Sequence, residues 1–230
     1  FIFASDKDSD VKGYPLKDIK NTGELPVVDE VLKLPFMQDL KEQYVTAHER
    51  HPDCRIIPPF FWDTSGRATI HGIITTSMKF IGQDIFTLMM LNPELVKGIH
   101  SWITDVYILV IRFFSALGNI PVTSVHVGVC SGPMLDNVSY KEFVNPFISR
   151  LGKEFGAIRL HSCGNADHVM ESICEVENLK IIDTGSDTSL AKIRQLMGKD
   201  FEINVAPPVH VLTEGSKPED IKKWLNTILT

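Results

Sequence analysis

The sequence predicts a single α/β domain built on a parallel sheet, and three observations predict it. Short apolar runs alternate with helix-like segments through the second half of the chain, the pattern of parallel βαβ units. The runs at 123–129, 157–161, 179–183 and 201–205 have strand length, and the first is rich in β-branched residues. A chain of 230 residues with 43% hydrophobic composition can bury one sizeable core undivided. With a further strand expected at 54–61 the count is five, or six if Phe1-Ile2-Phe3-Ala4 pairs as well. A closed (β/α)8 TIM barrel has eight strands and takes roughly 250 residues. Two architectures therefore stay open, an open doubly wound sheet and a (β/α)8 barrel lacking terminal segments. The chain opens at Phe1 without an initiator Met and ends in the helix-like segment 225–230 without a cap, so the incomplete barrel, one domain over 1–230, is preferred.

Taken in order, 5–24 is rich in Asp, Lys, Gly and Pro and reads as loop. Leu40, Tyr44 and Ala47 share a face of a helix over 37–50, which His51-Pro52 stops. Cys54 to Phe61 reads as a strand ending in prolines, followed by a polar loop from Trp62 to Arg67. Helical spacing is read over 68–80, with Gly72 tolerated inside it, and helical character continues over 84–90. Asn92 is expected to cap a long helix opening with Pro93 and ending near Gly118-Asn119. Ser139 and Glu142 read as a capping box for a helix over 140–155. Further helices are expected near 166–176, near 190–197 and from Lys217-Pro218 onward.

Charge and cysteine usage exclude some classes. Twenty-three Lys and Arg against 29 Asp and Glu give a net charge of −6, with no basic run to neutralise a phosphate backbone, so nucleic acid is not expected as a partner. Cysteines at 54, 130, 163 and 174 are too irregular for a secreted disulfide framework and fit a reducing cytoplasm. The most apolar stretch, 102–117, is interrupted by Asp105 and Arg112, so no membrane span is expected.

The chemistry concentrates in Leu160-His161-Ser162-Cys163-Gly164-Asn165. Residues two apart in an extended segment project to one side, so the imidazole of His161 and the sulfur of Cys163 can converge on one ion. A neutral imidazole with a thiolate suits zinc better than magnesium or calcium. The competing reading is a strand-end histidine satisfied by a carbonyl beside a small buried cysteine. In parallel α/β folds reactive groups gather at the carboxyl ends of strands. Five loops are expected there, carrying Phe60 to Arg67, Cys130-Ser131-Gly132, His161 to Asn165, Asp183 to Asp187, and Asn204 to Pro208.

The His161-Ser162-Cys163-Gly164-Asn165 segment, the helix starts at Leu91-Asn92-Pro93-Glu94 and Ser139 to Pro146, and the strand end Ile182-Asp183 together resemble the uroporphyrinogen decarboxylase superfamily, within it the zinc-dependent, corrinoid-linked methyltransferases. The resemblance covers roughly residues 58–224 and implies a (β/α)8 barrel whose zinc is held by a His, a Cys two residues later and a Cys near the chain's end. His161 and Cys163 match the first two; no Cys follows Cys174. Cys130 stands where a carboxylate is common among relatives, and is read as a substitute ligand, a substrate contact or a buried thiol. The seven Arg are not clustered, and no Arg-rich motif suited to a polycarboxylated porphyrinogen is present, which favours the methyltransferase branch over the decarboxylase.

The activity this resemblance implies is methyl transfer, in either direction, between methylcobalamin on a partner corrinoid protein and a small thiol acceptor or methylated donor. The expected metal set is His161, Cys163 and Cys130. Asp183 is expected to orient the metal-bound His or to cap a helix. Phe61, Trp62, Ser131, Asn165 and Asn204 are the candidate substrate contacts. A metal-free decarboxylase and a non-catalytic barrel remnant are the alternatives, and a homodimer is compatible with any of them. His126 reads as a packed or hydrogen-bonded strand residue, His71, His100 and His168 as satisfied side chains on helices, and Cys174 as core.

Overall fold

The computed structural model describes residues 13–213, 215 and 217–229; the strand expected at residues 1–4 lies outside them. Five strands, β1 (Arg67–His71), β2 (Ser124–Gly128), β3 (Ile158–Ser162), β4 (Leu179–Thr184) and β5 (Glu202–Val205), form one all-parallel sheet in the order β1-β2-β3-β4-β5. The chain is thus α/β. Between and around the strands lie α1 (Pro35–Arg50), α2 (Ile73–Ile81), α3 (Asp84–Leu91), α4 (Pro93–Gly118), α5 (Asn137–Phe143), α6 (Asn145–Phe155), α7 (Met170–Cys174), α8 (Leu190–Met197) and α9 (Pro218–Leu229).

Strand order never reverses, and right-handed crossovers in an unreversed sheet bring every connecting helix to the same face. Burial follows that rule. Ala68, Ile70, Val125, Val127, Ile158, Leu160 and Ile182 are buried in one core with residues of α2 to α8. The alternate residues Arg67, Thr69, His126, Arg159, His161 and Asp183 are only half-buried on the opposite face. That uncovered polar face is compatible with the interior of an α/β barrel of which these strands form part.

The first strand differs from expectation. Residues 54–60 form no strand, and Phe61 makes only an isolated bridge, because Pro58 and Pro59 offer no backbone donors and Phe60 takes φ 68°. The strand begins instead at Arg67, at the end of the expected loop, and runs to His71 inside the segment read as helical. Gly72 divides it: its N–H donates to the Gly128 carbonyl at 2.7 Å, and a Cβ there would lie 2.7 Å from that oxygen. Strand spacing governs Ala68 and Ile70 and helical spacing resumes at Ile73, so one apolar run carried two periods.

Other boundaries shifted for local reasons. Asp136, not Ser139, caps α5, its carboxylate accepting from the N–H groups of Val138 and Ser139 at 2.9 Å each. The helix expected over 140–155 is divided at Val144, just before Asn145 and Pro146. Asn92 caps α4 as expected, accepting from Leu95 N–H at 3.3 Å, and Asn119 closes it in the left-handed region. By length and hydropathy alone the 26-residue α4 would pass for a bilayer span, contrary to expectation. Its inner face, including Ile99, Ile103, Val110 and Phe114, is buried in the core, and Asp105 and Arg112 pair with Arg150 and Glu154 of α6.

His100 of α4 is fully buried and only half satisfied: Nδ1 lies 2.7 Å from the Phe143 carbonyl oxygen, while Nε2 has no partner among the described residues. Burial drives its pKa from 6.5 down to about 4, against the weaker upward pull of that bond. The unfolded chain therefore binds a proton that the folded chain refuses between these values, and stability falls as pH drops from 6.5 toward 4. The expected loss attributable to this side chain is about 3 kcal/mol across the window. Urea unfolding at pH 7 and pH 4.5 should show a smaller loss in His100→Gln than in the parent; equal losses would refute the assignment.

Candidate metal centre

Two of the five expected loops bring donors together at the carboxyl end of the sheet. Cys130 follows the end of β2, His161 lies in the last turn of β3 and Cys163 just beyond it, and one donor atom from each lies within 4.8 Å of the others. A tetrahedral zinc with ligands at about 2.0–2.3 Å needs donor separations of roughly 3.3–3.8 Å, so small rotations of two exposed thiols suffice. Sulfur, sulfur and imidazole nitrogen form a set that zinc fills readily. The residues present fit the group.

Sheet register explains the convergence. Gly128, His161, Asp183 and Asn204 are paired side by side across β2 to β5, so the next residues along carry the two cysteine loops above this row. Gly128 leaves space over its strand, and Val129 N–H donates to the His161 carbonyl at 2.7 Å, tying the Cys130 loop to β3. Gly185, beyond β4, passes so close to Cys163 that a Cβ would sit 2.7 Å from its carbonyl oxygen. Ser131 accepts from Thr75 Oγ1 at 3.0 Å, which braces the loop against α2.

Asp183 lies where a partner of a ligating histidine belongs. Its Oδ2 is 3.4 Å from Nδ1 of His161, within ion-pair range, while that buried nitrogen has no hydrogen bond in the present rotamers. A carboxylate so placed fixes the ring's tautomer and leaves Nε2 for an ion. His126, stacked on His161 at 5.8 Å between ring centroids, forms a second close group with His161 and Asp183. Burial first, then the neighbouring His161, push its pKa down to about 4, so it stands neutral near pH 7. The hydrogen bond with Cys130, followed by partial burial, pushes the Cys163 thiol up; a bound cation reverses that tendency by favouring thiolate.

The remaining sequence candidates separate into two groups. Asn204 belongs to the site's row, and its buried Nδ2 has no partner among the described residues. Asn165 Oδ1 accepts from Asp167 N–H at 3.0 Å, which shapes the loop beyond Cys163. Phe61 and Trp62 are corrected: they precede β1, with Phe61 bridged to Ala68 and Trp62 N–H bonded to the Arg67 carbonyl, so they lie at the amino end of the sheet, opposite the cluster. Phe61 packs in the core and Trp62 stands 68% exposed under the Arg67 guanidinium. Once β1 moved to 67–71, the loop they occupy moved to the other end.

His126 was missed as a neighbour of the cluster. Its signal was present in strand alternation, since it is flanked by buried apolar residues and shares the parity that points His161 away from the helices. His71 closes β1 rather than sitting on a helix, and His168 holds the Pro133 carbonyl at 3.0 Å. Cys174 is half-buried against the core, as expected. A cavity of about 1210 Å³ lies between α8, β5 and α9 and is lined by none of the cluster residues, so donor chemistry marks the candidate site.

Compared with models of known protein families and with curated protein sequences, the chain matches none.

Proposed function

We propose that this chain is a zinc-dependent methyltransferase of the uroporphyrinogen decarboxylase type, moving a methyl group between a partner corrinoid protein and a small thiol or methylated substrate. The observation that carries the reading is the convergence of Cys130, His161 and Cys163, from two separate loops, within 4.8 Å. In the related (β/α)8 architecture these five strands would be consecutive members of the barrel. Their unreversed order, the helices gathered on one face and the polar character of the other support that placement.

Cys130, Cys163 and His161 would hold the ion, with Cys130 taking the place of the late cysteine implied by the resemblance. Zinc bound there supplies a positive charge that keeps a coordinated substrate thiol ionised at neutral pH. Asp183 orients the His161 ring through Nδ1, and Thr75 and the Val129 amide hold the Cys130 loop in place. Asn204, in register with Asp183, faces the same space and is available to orient a bound substrate.

Elemental analysis of the purified protein tests the reading, together with methyl transfer from methylcobalamin to a simple thiol followed by the cobalamin absorbance. About one zinc per chain and thiol-dependent demethylation are expected. A protein that neither retains nor takes up zinc is not this enzyme; tight binding of a polycarboxylated porphyrinogen without metal would support the decarboxylase instead.

A further inference from the structure

The register of β2 and β3 brings Cys130 and Cys163 opposite one another. Gly128 pairs with His161, and the bond from Val129 N–H to the His161 carbonyl at 2.7 Å carries the alignment one step past the end of β2. Each cysteine stands two residues beyond its member of that pair. Adjacent strands run about 4.8 Å apart, inside the Cα separation of roughly 4.4–6.8 Å that a disulfide spans. The two sulfurs lie within 4.8 Å of one another, and the thiols share a hydrogen bond. Closing them to a bond of about 2.05 Å takes rotation of both side chains and a small backbone adjustment. Gly164, next to Cys163, stands in open space where the chain is free to make it.

The other two cysteines are placed differently. Cys54 is exposed in a separate pocket near the end of α1. Cys174 is half-buried on α7, where burial pushes its thiol up to about 11 and keeps it protonated near pH 7. Cys130 and Cys163 are both exposed, so a small oxidant reaches either sulfur. A disulfide formed at such an exposed position is of the reducible, labile kind rather than a permanent brace.

We propose that Cys130 and Cys163 form a reversible modification site, closing to an intramolecular disulfide when hydrogen peroxide oxidises them and reopening when a small dithiol reduces it. One sulfur gives up its proton and attacks the peroxide; the O–O bond breaks, one oxygen leaves as water, and a sulfenic acid remains. The second sulfur gives up its proton, forms the S–S bond and expels the sulfenic oxygen as a second water. Two electrons pass from the pair of sulfurs to the peroxide oxygens. The dithiol returns them by exchange and becomes a disulfide itself. The oxidised state has lost two of the three donors of the metal centre, because thiolate sulfur is what binds the ion. Zinc and the disulfide thus exclude each other. That exclusion rests on the zinc reading of the site, whereas the disulfide rests on register and sulfur separation alone.

Peptide mapping by mass spectrometry, after alkylation of the remaining thiols, tests this. Chelator-treated, reduced protein exposed to hydrogen peroxide should yield a linked Cys130–Cys163 peptide pair, which dithiothreitol separates again. Cys130→Ser should lose the link and leave Cys163 as a sulfenic acid that dimedone traps, and Cys163→Ser should do the reverse. The parent's own peptide map decides the outcome even where a variant misfolds. Zinc-loaded protein treated in the same way should release about one zinc per disulfide formed, followed with a chromophoric chelator, and should rebind it only after reduction. Sulfenic or sulfinic acid at either residue without the link, or a link drawn to Cys54 or Cys174, would overturn the modification site. Linked protein that still binds zinc with the parent affinity refutes the exclusion of the ion. If the parent never binds zinc, the methyl-transfer reading fails, while the linked peptide found in metal-free protein still upholds the site.

Discussion

Cys163→Ala protein should emerge from purification without zinc, and His161→Ala and Cys130→Ala should do the same. Each removes one of three donors that converge within 4.8 Å, and two donors alone do not hold the ion against water and buffer. Asp183→Asn sets the scale for comparison. It leaves the donors intact and disturbs only the ring's orientation at the 3.4 Å contact, so zinc affinity should fall by roughly 10–100-fold, as for other partners of ligating histidines. The three donor substitutions should exceed that loss, measured by competition with a chromophoric chelator. Cys54→Ala, an exposed thiol in a separate pocket near the end of α1, should retain the parent affinity. If Cys130→Ala alone kept zinc, the ligand set would be wrong even with the reaction class right, because His161 and Cys163 would then need a third partner elsewhere.

Phe114→Ala should lower unfolding free energy by about 3–5 kcal/mol, among the largest effects available to a single substitution in this chain. The ring is wholly buried, packs at 5.6 Å from Phe60 and 5.0 Å from Phe113 between centroids, and lies where α4 meets the turn leading into β1. Phe60, whose backbone is left-handed, loses its ring contact in that variant, so the cavity should loosen the entry to the sheet as well as the helix. Guanidinium unfolding followed by far-UV circular dichroism measures the change. A loss below about 1.5 kcal/mol would mean that neighbouring side chains collapse into the space.

Some of the site could be read before any coordinates. His161 and Cys163 stand two apart at the end of a strand, and geometry within one strand is local, so their shared direction was legible. Asp183 was legible for a similar reason, as the carboxylate that follows Ile181-Ile182 near the end of its strand. Cys130 could be placed only at the end of another strand, with three uses left open. What brought it to the other two candidate donors is register: Gly128 pairs with His161, and nothing in either segment alone states that pairing. Phe61 and Trp62 show the opposite failure. The apolar run through Pro58 and Pro59 looked like the strand and the run from Ala68 looked like the helix, because Gly72 marks a change of period rather than a gap in one. A slip of one element sent both aromatics to the wrong end of the sheet.

The sequence by itself determined the class of fold, the order of strands and helices in the second half and the presence of a thiol-imidazole pair, since each depends on periodicity or on neighbours a few residues away. The tertiary structure decided which cysteine joins that pair and which carboxylate stands behind the histidine. Those choices depend on how parallel strands align across separations of 22 to 57 residues, from Asp183 back to His126, and alignment over such distances is settled by core packing rather than by local pattern.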